Sequence, residues 1–153
     1  MAYKPQKGRF KYNLATVLRI RKIMEKREQK AYQERIAALE AERQKEREIR
    51  EFQNAKLNEL ADQLSGKIED FSAVLRRQAY LGKVKVDVMQ QEQKTVEAEQ
   101  LKEEQREKLV KAVMDRKIME KDRAHKRVKW QKFMKKEETK FLDDIATSRF
   151  FNQ

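Results

Sequence analysis

Apolar residues along this chain recur at steps of three and four, the repeat of one helix face, and they almost never form unbroken runs. Leu14, Val17 and Leu18 open the first such stripe. Ile36, Leu39, Leu57, Leu60 and Leu64 share one heptad register, with polar Arg43, Glu46, Arg50 and Gln53 between them. Ile49 and Phe52 sit one residue off that register. Farther on, Val110, Val113, Met114 and Ile118 form a second stripe, and Phe141, Leu142 and Ile145 a third.

Helix breakers divide the pattern. Pro5, Gly8, Gly66 and Gly82 leave 57 residues free of Gly and Pro before Gly66 and 71 after Gly82. This predicts one helix over about residues 13–64, with Asn13 as its N-cap and Gly66 taking a left-handed C-cap. A second helix is predicted over about 69–148, capped by Asp70 or Ser72, with flexible ends at 1–12 and 149–153. Around Gly82, Leu81, Val84, Val86 and Val88 alternate like a strand. One strand without a partner is not viable, so helix with one costly glycine is preferred. A bend at Gly82 would instead fold the segment after Ile68 over the end of the pair.

The fold expected is therefore all-α. Residues 1–153 form a single antiparallel coiled-coil hairpin, its turn in the region 64–82, and a monomer in isolation. The seam is thin and drifts, and two helices build no broad core, so only moderate stability is expected. Leu14, Val17, Leu18, Phe141, Leu142 and Ile145 are the expected ties between the helices near the termini.

Composition narrows the function. The 153 residues are 42% charged and 39% hydrophobic, with no Cys and one His. Disulfide scaffolds, cysteine zinc sites and thiol catalysis are excluded. His125 lies in a basic stretch, and Ser occurs only at 65, 72 and 148, so no nucleophile and base can be paired. The isolated glycines build no phosphate loop, and the carboxylates are accounted for by solvation and ion pairing. No enzyme, cofactor or metal site is expected. The longest run without charge, Tyr12–Leu18, is seven residues, far short of the ~20 that span a bilayer. A cytoplasmic chain is expected.

Charge changes the picture further. The net charge of +12 is concentrated: residues 1–30 carry +8 and residues 116–140 carry +7, whereas 31–115 carry −2. A hairpin brings both basic segments to one end, where like charges repel unless a partner screens them. Lys126, Arg127, Lys129 and Trp130 suggest phosphate contacts with base stacking. Trp130 and Phe133 nevertheless share a helix face, where packing is the stronger reading, and no specific nucleic-acid partner is expected. The apolar face of 116–140 is too sparse to insert in lipid, which leaves only weak electrostatic adsorption.

The two ends carry a family pattern. Arg9-Phe10-Lys11-Tyr12-Asn13-Leu14-Ala15-Thr16-Val17-Leu18-Arg19-Ile20-Arg21 resembles the opening of the flagellar type III export protein FliJ family. The stretch from Glu138 through Phe141-Leu142-Asp143-Asp144-Ile145 to Arg149-Phe150 resembles its close. The resemblance implies a coiled coil similar to the rotary ATP synthase γ subunit. It implies a non-enzymatic stalk that inserts its paired terminal helices into a hexameric flagellar export ATPase. A membrane export-gate protein and export chaperones are implied as further partners, with peripheral association at the cytoplasmic face of the inner membrane. By resemblance, ring contacts fall on Phe10, Leu14, Val17, Leu18, Arg19, Arg21, Lys22, Asp143, Asp144 and Arg149. Of these, Arg19, Arg21 and Lys22 are the better candidates for an outside partner. Phe71, Tyr80, Leu81, Val84 and Val88 form an apolar set with little to cover it, which caps the hairpin or docks to the gate or a chaperone. A general coiled-coil chaperone or adaptor, or an injectisome stalk homologue, is the alternative.

Overall fold

The computed structural model describes residues 5–67 and 70–151. It is all-α: α1 spans Ala15–Ser65 and α2 spans Phe71–Phe151, and they pack as an antiparallel hairpin. Residues 1–4 and 152–153 of the expected flexible ends, and the expected second-helix start at 69, lie outside the described residues.

Local chemistry sets the helix ends. Asp70 caps α2: its Oδ1 accepts from the backbone N–H groups of Ser72 (2.9 Å) and Ala73 (3.1 Å). Those bonds hold its carboxyl below the usual range, with the Ser72 hydroxyl the largest cause. Two expectations fail. Asn13 does not cap α1; its Oδ1 accepts from Lys126 Nζ at 3.3 Å, and the first helical bond runs from Leu18 N–H to the Leu14 carbonyl. Gly66 does not adopt a left-handed cap, since among the described residues only Gly8 has positive φ (101°). At that end the Ser65 hydroxyl donates to the Asp62 carbonyl instead. Gly82 lies inside α2, which runs through it unbroken.

The chain forms two compact units. The first joins residues 1–27 with 110–153; the second is 28–109. In the second, the covered positions on α1 include Glu28, Tyr32, Leu39, Glu42, Glu46, Ile49, Gln53 and Leu60. On α2 they include Val84, Val88, Gln91, Thr95, Ala98, Lys102 and Gln105. Their steps follow the four-three alternation of a coiled-coil seam. Only half of the register expected from apolar spacing is therefore correct. Leu39 and Leu60 lie in the seam, but Ile36, Leu57 and Leu64 are exposed, and Ile49, expected off register, is covered.

Polar groups decide this phase. Gln91 is 5% exposed, and its Nε2 donates to the Glu42 carboxylate (2.6 Å) and carbonyl (3.2 Å). Gln105 makes the same pair of bonds to Glu28. Arg43 pairs with Glu99 and Arg50 with Glu92. Each satisfied amide is tied to one position on the opposite helix, so it fixes register where apolar contacts would tolerate slippage.

Candidate functional site

The unit formed by residues 1–27 and 110–153 contains both stretches of the family pattern. It carries 22 Lys and Arg against 8 Asp and Glu, net +14, whereas residues 28–109 carry 16 against 18, net −2. The two basic segments thus do come together in one unit.

Its helices are tied by polar bonds as much as by apolar packing. Tyr12, 8% exposed, donates to Asp122 Oδ2 at 2.7 Å with the Met119 carbonyl at 3.3 Å. Burial first, then the Asp122 carboxylate, pushes the phenol up to about 12. Lys126 and Tyr12 in turn hold the Asp122 carboxyl below its usual range. Arg21 pairs with Asp115 at 2.8 Å and Lys22 with Glu120 at 3.6 Å. Arg116 reaches both Glu25 and Glu120. Before α1, Lys7 pairs with Glu137 at 2.8 Å, and Trp130 Nε1 donates to the Gln6 carbonyl at 3.2 Å. Phe10 stacks on Trp130 with ring centroids 5.9 Å apart. Trp130 is thereby turned to intramolecular packing, as its helix position suggested.

The residues assigned by resemblance fall into different environments. Leu18 is buried and Leu14 half-buried in the seam; Val17 is partly exposed beside Ile20 and Met24, which continue its stripe outward. Arg21 and Lys22, expected to face an outside partner, also pair with α2, through Asp115 and Glu120. Arg19 is exposed and makes no ion pair among the described residues. Asp143, Asp144 and Arg149 are all exposed on the last turns of α2. Phe141, Leu142 and Ile145 do not hold the helices together: the first two are each 64% exposed. The reason is length. Lys7 already sits against Glu137, so among the described residues no part of α1 faces the turns beyond it.

The second apolar set also divides, within the 28–109 unit. Val84 and Val88 are buried in the seam and Leu81 is half-buried, which removes the two valines from any outward surface. Phe71 and Tyr80 remain exposed, joined by Leu75, which the sequence reading missed although it stands one helical turn from Phe71. Tyr80 meets Phe52 edge-on at 6.5 Å. Asp115, Asp122, Gln91 and Gln105 were also missed, because polar residues carry no seam signal until a partner is known. Among the described residues, no group of His and carboxylates is arranged to hold a metal ion, and no helix is long and apolar enough to cross a membrane.

Comparison with known proteins bears on this arrangement directly. The family model described as Flagellar FliJ protein matches residues 10–153. Searches among curated proteins and among solved structures gave no match. The matched span begins at Phe10, the ring that packs on Trp130, and covers both helices. The chain belongs to the FliJ family, and so to the flagellar protein-export components.

Proposed function

We propose that the chain is a non-catalytic stalk of the flagellar export apparatus, whose 1–27 and 110–153 unit inserts into the central pore of a hexameric export ATPase. The observation that carries the reading is this unit itself: both ends of the family pattern belong to one basic unit, in which the opening stretch pairs with α2 as far as Glu137 and the closing stretch projects beyond. Arg19 is exposed on it, without an ion pair among the described residues, beside exposed Val17, Ile20 and Met24. A two-helix stalk has no six-fold symmetry. It meets six equivalent subunits unequally and shifts their conformational populations by differential binding. The stalk needs no chemistry of its own.

Exposed Phe71 and Leu75, one helical turn apart, support a second contact in the 28–109 unit, with the membrane export-gate protein or with export chaperones. Association with the cytoplasmic face of the inner membrane follows from those partners. A general coiled-coil adaptor would use the same apolar pair without the ring. An injectisome stalk would use a different cognate ATPase. The test is stimulation of the cognate export ATPase by the purified chain. Stimulation that falls at least several-fold in Arg19→Glu supports the stalk. No stimulation and no co-sedimentation at low salt, with chaperone binding retained, supports the adaptor.

A further inference from the structure

Between residues 110 and 137 of α2 the acids gather on one side and a group of lysines stands on the other. This stretch holds four acids, Asp115, Glu120, Asp122 and Glu137. All four bond to the first 22 residues, through Arg21, Lys22, Tyr12 and Lys7 respectively. The face turned away from that pairing carries Lys117, Lys121, Lys132 and Lys135, all exposed and without an ion pair among the described residues. No acidic side chain points from the middle of that face between 110 and 135. Val110, Met114 and Ile118 lead into the lysines at one-turn intervals and Val128 stands among them; they are 41%, 58%, 64% and 48% exposed.

We infer that this face is a docking surface for anionic phospholipid, lying along a bilayer at the level of the headgroups. Charge complementarity is the first argument. Four unscreened lysines spread over roughly 27 Å of continuous helix match a sheet of negative headgroups. The interleaved apolar side chains are the second. Val, Met and Ile gain by entering the boundary between headgroups and acyl chains, with the lysine stems snorkelling beside them. A nucleic-acid backbone offers those side chains nothing, and Trp130, the aromatic in this basic stretch, is committed to Phe10 and Gln6. The face has lysines and no arginine, which suits a diffuse anionic layer better than bidentate recognition. Burial is shallow, so binding is reversible and depends on salt; the face belongs to the unit proposed to enter the ring, so lipid and ring engage it in turn and not together.

The experiment is flotation of the full chain with vesicles of phosphatidylcholine alone or with phosphatidylglycerol added, with no ATPase present. Failure here therefore leaves the stalk reading standing. Retention on the anionic vesicles only, weakening as salt rises, is expected. Each neutralised lysine lowers partitioning about fivefold at low ionic strength. The combined change of Lys117, Lys121, Lys132 and Lys135 to Gln should therefore abolish flotation. The same charge change at Lys83, Lys85, Lys94 and Lys108 should reduce it far less. Because the chain has no Cys, Met114→Cys accepts a single environment-sensitive dye. Its emission should shift to the blue on anionic vesicles, while a dye at Asn54→Cys should not. Absence of flotation on anionic vesicles at low salt overturns the proposal. So do equal losses in the two lysine sets, or duplex DNA that binds more tightly than vesicles and displaces them.

Discussion

Tyr12 and Asp122 are 110 residues apart in the chain and 2.7 Å apart in space. The phenol donates, the carboxylate accepts, and the ring beneath lies 5.2 Å from the Lys126 ammonium, which also bonds Asp122. This cluster fixes the entry to α1 against α2 more specifically than the few buried apolar residues do.

Tyr12→Phe keeps the ring and removes the donor. A hydrogen bond from a largely buried hydroxyl to a carboxylate contributes about 1–2 kcal/mol. The melting midpoint followed by circular dichroism should fall by about 2–4 °C for each kcal/mol lost. An unchanged midpoint would mean that water replaces the phenol without cost.

The seam glutamines should behave in the opposite sense. Changing Gln91 and Gln105 together with their partners Glu42 and Glu28 to Leu removes two covered polar pairs, and the apolar replacements should raise stability by about 1 kcal/mol or more. Register should suffer, because an amide bonded to one carboxylate penalises slipped pairings that leucine accepts. Size-exclusion chromatography with light scattering should then show dimers. A variant both more stable and wholly monomeric would remove the register role assigned to these residues.

Arg19 and Arg21 are separable although two residues apart. Arg19→Glu should leave the stability within about 0.5 kcal/mol of the original, since Arg19 makes no ion pair among the described residues. Arg21→Glu places a carboxylate beside Asp115 and should lower the midpoint as well as ATPase stimulation. Equal thermal effects would show that Arg19 has an internal role.

Acid should loosen the pairing. Asp122, Glu137, Glu42 and Glu99 are held below their ordinary pKa chiefly by bonds to cations, and Glu46 first by the Thr95 hydroxyl. A depressed carboxylate stabilises the folded chain above the unfolded value, about 4, and that stability is lost as pH falls through the folded value. The melting midpoint should be level from pH 7 to 5 and decline below about 4.5. At the alkaline end Tyr12 works with the reverse sign, because its raised pKa favours the neutral phenol in the folded state. Its contribution is complete below pH ~10 and disappears as pH passes 12. Absorbance titration should show one of the four tyrosines ionising late.

Much of the fold was legible before any coordinates. Glycine and proline are local breakers, so their spacing marked two long helices, and the Asp70 cap followed from a side chain acting on its own neighbours. The basic ends and the family pattern were equally local properties. Which face of each helix meets the other was not legible. Apolar spacing proposed Ile36, Leu57 and Leu64, yet the seam runs through Glu42, Gln91, Gln105 and Arg116, whose polar groups are covered only because a partner across the pair satisfies them. Periodicity in one segment gives a phase relative to itself. Only the paired helices decide which carboxylate meets which amide, which arginine is taken up inside and which lysines are left facing outward.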